Sequence, residues 1–143
     1  MQLALENRFA TVGRVLLGLY FIIPGITKIT GYDATSQYMA DHGMVLVPFF
    51  LILTIIIQIG GGLIMVAGYQ TKITAFILAG LTLVISVVMH DFWTMPAGEL
   101  QTGHETQNFV KNEAIMAGLL AVAGLGGGRW SLDARFARRG ATA

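Results

Sequence analysis

The sequence contains no cysteine. That excludes disulfides, Cys-ligated zinc or iron–sulfur clusters, and any thiol–disulfide relay, quinone-coupled disulfide formation included. Charge is also scarce. Asp, Glu, Lys and Arg make up 12% of the 143 residues, about half the ~25% of a soluble domain. The net charge of +1 leaves no basic face for nucleic acid. A nucleophile motif, a phosphate-binding loop and a dinucleotide fingerprint are missing as well. Gly60-Gly61-Gly62 falls inside one apolar run and Gly126-Gly127-Gly128 at the exit of another, and neither follows a strand. Of the three histidines only His90 lies near an apolar run, which argues against a paired-histidine haem.

What the sequence has in quantity is apolar side chain: 55% of residues, with a mean hydropathy of +0.67. The length suits one domain. Four apolar stretches, 9–26, 45–67, 73–89 and 109–125, approach the 17–25 residues of a membrane span. The expectation is an all-α integral membrane protein, a four-helix bundle forming a single transmembrane domain over residues 1–143. Arg8 and Arg14 before the first run imitate a signal peptide. Pro24-Gly25-Ile26-Thr27-Lys28 follows without a small-x-small cleavage site, so the run reads as a retained membrane helix.

A tight turn, 68–72, joins the second and third runs, whereas 27–44 and 90–108 are long connections on one common side. Arg8, Arg14, Lys72, Arg129, Arg135, Arg138 and Arg139 fall on the opposite side, which holds both termini; only Lys28 and Lys111 accompany the long loops. The positive-inside rule then places both termini in the cytoplasm, with Trp130 and Tyr69 at the inner interface and Trp93 and Tyr32 at the outer one. The first outer loop predicts a short surface helix over 34–42, with Asp33 as N-cap and Gly43 as its stop. Tyr38 and Met39 would lie on the membrane and Asp41 and His42 would face water. Ala114, Ala117, Gly118 and Ala121 share one helical face, and Gly60, Gly61 and Gly62 offer a similar surface; small residues permit close helix approach in lipid.

Ionisable and polar groups within the runs mark the places to seek function, because each costs about 2.5–3.5 kcal/mol to insert. Arg14 lies roughly 7–8 Å into the first helix and Gln58 roughly 13–14 Å from the inner end of the second. Arg14 either snorkels to the interface or shares an interior polar site with Gln58. Toward the outer side, Lys28, His90, Asp91, Lys111, Asn112 and Glu113 reach a common depth. They either cap and snorkel, or pair as Lys28 and Lys111 with Asp91 and Glu113 around a pocket for an anion or a quinone head group. Asp41-His42, His90-Asp91 and His104-Glu105 are acid–histidine neighbours without regular ligand spacing, so no metal site is expected.

Several strings, taken in order, resemble the DoxX family of bacterial inner-membrane proteins with its DoxD-like relatives. They are Phe21-Ile22-Ile23-Pro24-Gly25-Ile26-Thr27-Lys28-Ile29-Thr30-Gly31-Tyr32, Gln37-Tyr38-Met39-Ala40-Asp41-His42-Gly43, Gly60-Gly61-Gly62, Ala67-Gly68-Tyr69-Gln70-Thr71-Lys72, His90-Asp91-Phe92-Trp93, Phe109-Val110-Lys111-Asn112, and Gly126-Gly127-Gly128 before Ser131-Leu132-Asp133. The likeness runs from about Arg14 to Asp133. It implies a four-helix membrane bundle and a link to oxidoreduction, since relatives include a subunit of an archaeal thiosulfate:quinone oxidoreductase and others are implicated in oxidative-stress complexes. Arg14, Lys28, His90, Lys111 and Asn112 match the family. Gln58 departs from it, standing where many members carry a buried Glu, and an amide neither pairs with Arg14 as a charge nor relays a proton.

The leading expectation is a membrane subunit of a redox system that binds a quinone or docks a redox protein partner. A non-catalytic scaffold or assembly factor is the alternative, and a small transporter the third reading. No motif assigns catalysis to the chain itself. The expected partners are the lipid bilayer, a redox protein or a second copy as a homo-dimer, and the expected location is the bacterial inner membrane.

Overall fold

The computed structural model describes residues 2–141. In chain order the elements are α1 (Gln2–Thr30), α2 (Tyr32–Asp41), α3 (Val47–Ala67), α4 (Thr71–Met89), a 3-10 turn (Phe92–Thr94), α5 (Leu100–Leu125) and α6 (Leu132–Gly140), with no strand among the described residues. Leu3–Thr30, Val47–Ala67 and Thr71–Thr94 are long and apolar enough to cross a membrane.

The helices are longer than the apolar runs that announce them. α1 starts well before 9 and continues through Pro24 to Thr30. The proline therefore sits inside a helix, where it costs one amide donor rather than ending the element. α5 starts at Leu100, not near 109, because Gln101, Thr102, His104, Glu105 and Asn108 form a polar helical extension that hydropathy passes over. α3 follows the expected run closely. Pro48 occupies its first turn, where a missing amide hydrogen is no loss. Gly68 closes it at φ +70°, with its amide bonded to the Ile64 carbonyl at 2.9 Å.

Neighbouring long helices run antiparallel. α1 packs extensively on α3 and α4 on α5, while the α3–α4 contact is lighter. The α1–α3 crossing is built on glycine. A Cβ on Gly18 would stand 2.7 Å from the Gly62 carbonyl oxygen and 2.6 Å from Val66, and a Cβ on Gly62 would meet the Gly18 carbonyl at 2.7 Å. Gly61 faces Leu78 of α4, whereas Gly60 has open space around it. The small face of α5 does not bury itself in the chain: Ala114, Ala117 and Ala121 remain exposed.

Two apolar clusters result. Phe21, Met65, Ala75, Leu78, Ala79 and Leu119 fill the half of the molecule near the 68–70 turn. Met39, Val47, Leu51 and Met89 form the other, beneath α2. α2 begins at Tyr32, with Asp33 in its first turn rather than as cap, and the chain leaves it at Gly43 with φ +73°. It docks on the helices, which buries Met39 within the protein, and the Tyr38 hydroxyl reaches the Met89 carbonyl at 3.0 Å.

Candidate functional site

At the α2 end, α3 and α4 leave a cavity of about 660 Å³. Phe50, Leu53, Ile57, Ile77, Val84 and Val88 make most of its wall apolar. Polar side chains gather where α1, α2 and α4 finish, namely Thr27, Lys28, Tyr38 and His90. An apolar chamber with a few convergent polar groups is the usual form of a small-molecule site.

Behind those groups sits Glu105, a carboxylate only 3% exposed. Its Oε2 accepts from His90 Nδ1 at 2.7 Å and from Asn108 Nδ2 at 3.5 Å. Its Oε1 accepts from Gln101 Nε2 at 2.6 Å and from the Tyr38 hydroxyl at 3.2 Å. Gln101 and Asn108 are helical neighbours one turn either side of it, so the α5 extension builds most of the cradle and α2 and α4 complete it. Burial alone would raise the Glu105 carboxyl, but the hydrogen bonds from His90, Asn108 and Tyr38, together with the charge of His90, outweigh it and hold the group below the usual carboxylate range. Glu105 is therefore an anion that fixes the His90 proton on Nδ1, leaving Nε2 as the ring's second site for a hydrogen bond. Burial, reinforced by the negative charge of Glu105, pushes the Tyr38 hydroxyl up to about 12. It remains a donor at neutral pH with two acceptors in reach, Glu105 and the Met89 carbonyl. The His42 ring lies against that of Tyr38, centroids 4.3 Å apart and planes tilted by 57°, and its Nε2 lies 3.8 Å from Asp91.

The residues singled out from the sequence divide between this end and elsewhere. Lys28 and His90 line the cavity. Asp91 faces His42 and accepts from Thr94 at 2.9 Å. Lys111 bonds to Asn108 at 2.9 Å rather than to an acid. Asn112, 6% exposed, lies 3.5 Å from the Tyr20 hydroxyl and ties α5 to α1. Glu113 has a buried Oε1 with no hydrogen-bond partner, and no ion pair among the described residues joins Lys28 or Lys111 to Asp91 or Glu113. The acid at the centre is instead Glu105, paired across the connection with His90 and not with its neighbour His104.

Arg14 and Gln58 are each buried, but no hydrogen bond joins them. Arg14 is 2% exposed, and its guanidinium extends to the last turn of α3 and away from Gln58. Its Nη1 donates to the Met65 and Val66 carbonyls at 2.6 and 2.5 Å, and its Nη2 to the Trp130 carbonyl at 3.3 Å. A cation thus caps the negative end of the α3 dipole. Across the turn, Asp133 accepts from the Gln70 and Thr71 amides at 2.7 and 2.8 Å, which caps the positive end of α4 and holds Gln70 at φ +46°. Burial would raise the Asp133 carboxyl, but these amides and the charge of Arg14 prevail and hold it below the usual range. A Cβ at Gly68 would stand 2.6 Å from Arg14 Nη1, and one at Gly127 2.7 Å from the Thr71 hydroxyl, which explains the glycines of both motifs. Gln58, 4% exposed, faces α1 near Gly25 and its Oε1 has no partner.

A DoxX family model matches residues 9–91. Inner membrane protein YqjF of Escherichia coli (strain K12) is 37% identical over 130 residues, covering 90% of this chain and 92% of that protein. Inner membrane protein YphA of the same organism is 32% identical over 124 residues, covering 87% of each. Surfeit locus protein 4 homolog of Drosophila melanogaster is 26% identical over 151 residues, covering 92% of this chain and 55% of that protein. No solved structure matches the chain.

Proposed function

This chain belongs to the DoxX family, and from that premise we propose that it is a quinone-linked subunit of a membrane oxidoreductase or oxidative-stress system, with the quinone head group held in the cavity beneath α2. In this reading the 109–125 part of α5 is the fourth span, with its polar start at Leu100 outside the membrane, both ends of the chain are cytoplasmic, and the cavity opens toward the outer side of a bacterial inner membrane. The positive-inside count supports that orientation. The observation that carries the proposal is the division of the cavity wall, apolar along α3 and α4 and polar at one end.

A lipophilic quinone matches that division, with its isoprenoid tail against Phe50, Leu53 and Ile57 and its ring oxygens near Lys28 and His90. The Lys28 ammonium donates, which suits a quinone carbonyl oxygen, and Nε2 of His90, with the ring proton held on Nδ1, accepts, which suits a hydroquinone hydroxyl. When bound, a quinone would supply two-electron, two-proton redox chemistry. The chain's own part is to bind, orient and hold protons: Glu105 orients His90, and Tyr38 stays protonated beside it. Electrons come from a redox protein partner, since cysteine is absent and the three histidines lie in separate segments, His42 just after α2, His90 just after α4 and His104 in α5.

Extraction and mass spectrometry of small molecules from protein purified in mild detergent from its native membrane tests the reading. A quinone at about one per chain, depleted at least tenfold in a Lys28→Ala/His90→Ala variant that stays folded, is the expected outcome. Bulk phospholipid without quinone enrichment would overturn it in favour of a non-catalytic scaffold.

A further inference from the structure

The opposite end of the molecule has a groove of its own, about 640 Å³, bordered by Thr71 and Lys72 of α4, Gly127 and Arg129 of the connection, and Ala134 and Ala137 of α6. We infer that this groove, together with α6, seats the phosphodiester head of an anionic phospholipid. The inference rests on the chain's lying in a membrane and is independent of the quinone reading.

Three observations converge on that ligand. First, the charge facing the groove is positive. Lys72 and Arg129 line it, and the one carboxylate in its wall, Asp133, is already committed to the Gln70 and Thr71 amides. Second, α6 is strongly amphipathic. It carries Arg135, Arg138 and Arg139 beside a half-exposed Phe136, whose ring meets that of Tyr69 at 6.2 Å. Trp130, also largely exposed, precedes it. Aromatic rings and arginines interleaved in this way suit a lipid headgroup layer and not bulk water. Third, the depth is fixed. The Asp133 amide donates to the Gly68 carbonyl at 2.9 Å, and Ser131 caps the first turn of α6 through the Ala134 amide at 3.2 Å. α6 is therefore tied to the point where α3 ends and α4 begins, which is where the apolar spans give way to headgroups. Arg138 reaches back to the Arg129 carbonyl at 3.3 Å, so the basic face of α6 and the groove form one surface.

The test is reconstitution of the full chain in nanodiscs of equal parts phosphatidylglycerol and phosphatidylcholine, followed by mass spectrometry of the lipids retained on detergent extraction. The expected result is retention of phosphatidylglycerol over phosphatidylcholine by about tenfold or more, given roughly 1 kcal/mol for each basic residue near the surface. That preference should fall by about tenfold or more in Lys72→Ala/Arg129→Ala and persist in Lys72→Arg/Arg129→Lys. Equal retention of the two lipids by the unaltered chain overturns the inference, as does an unchanged preference in the double alanine variant. If that variant fails to fold, salt decides: a preference in the unaltered chain that high salt leaves intact contradicts an electrostatic headgroup site. Displacement of the lipid by inorganic phosphate alone would assign the groove to a soluble anion and also overturn the inference.

Discussion

The two ends of this molecule spend their polar residues in opposite ways. At the 68–70 turn, Arg14 and Asp133 are consumed by backbone: one caps the last carbonyls of α3, the other the first amides of α4. Glycines at 18, 62, 68 and 127 let the chain close around them, and the interior there is filled. At the α2 end, Glu105, His90, Tyr38 and Lys28 are side chains held by other side chains or left facing a chamber. A charge bonded to backbone carbonyls fixes a fold. A charge bonded to titratable neighbours beside a cavity is available for chemistry. The lesson is that depth of burial did not distinguish the two, since Arg14 and Glu105 are almost equally hidden; the identity of their partners did.

The contrast can be broken most severely at the α1–α3 crossing. Gly62→Val puts a branched side chain where even a Cβ would stand 2.7 Å from a carbonyl oxygen. It should cost about 3 kcal/mol or more, read as loss of monodisperse protein in detergent or a collapse of the thermal midpoint. Arg14→Met should cost about 2–3 kcal/mol by removing charged hydrogen bonds to three carbonyls, while quinone retention in whatever protein stays folded is unchanged. Loss of quinone without loss of stability would move Arg14 from the fold to the site.

At the other end the effects should be smaller and dependent on pH. Glu105 and its hydrogen-bonded donors have a folded carboxyl value below the usual one. Its contribution is therefore complete above the unfolded carboxyl value, about 4.3, and is lost as pH falls through the lower folded value. Hydrogen exchange of α2 amides should accelerate on acidification through that window. Glu105→Gln should cost about 1–2 kcal/mol at neutral pH and abolish the acceleration due to this group; an unchanged acid profile would remove Glu105 from the account. The smallest effect belongs to Gly60→Ala. Nothing lies within 4 Å of its added Cβ, so the thermal midpoint should hold or rise, by no more than about 1 kcal/mol in stability.

Three of the four apolar runs made legible the helices that are long and apolar enough to cross a membrane. What they hid was polar helix. The start of α5 carries Glu105 on a turn of glutamine, threonine and asparagine that hydropathy treats as loop, so in the sequence the acid at the centre of the candidate site stands out only as the neighbour of His104. The acid–histidine neighbours were the available signal, but the pairs that form, His90 with Glu105 and His42 with Asp91, skip the adjacent residue. Tyr38 had the period of a surface residue, and only the docking of α2 on α4 turns its hydroxyl toward Glu105. Of the Gly60-Gly61-Gly62 string, the direction of each Cβ decides the role. Gly62 meets α1, Gly61 meets α4 and Gly60 meets neither, a distinction that spacing alone does not make.

The most direct test of the cavity reading is labelling of the full chain in membranes with a photoreactive quinone analogue, followed by mapping of the modified peptides. The account predicts attachment within residues 27–57 and 77–90, competed by unmodified quinone and lost in the Lys28→Ala/His90→Ala variant. Attachment confined to the exposed outer faces of α1 and α5, indifferent to competitor and to those substitutions, would contradict it.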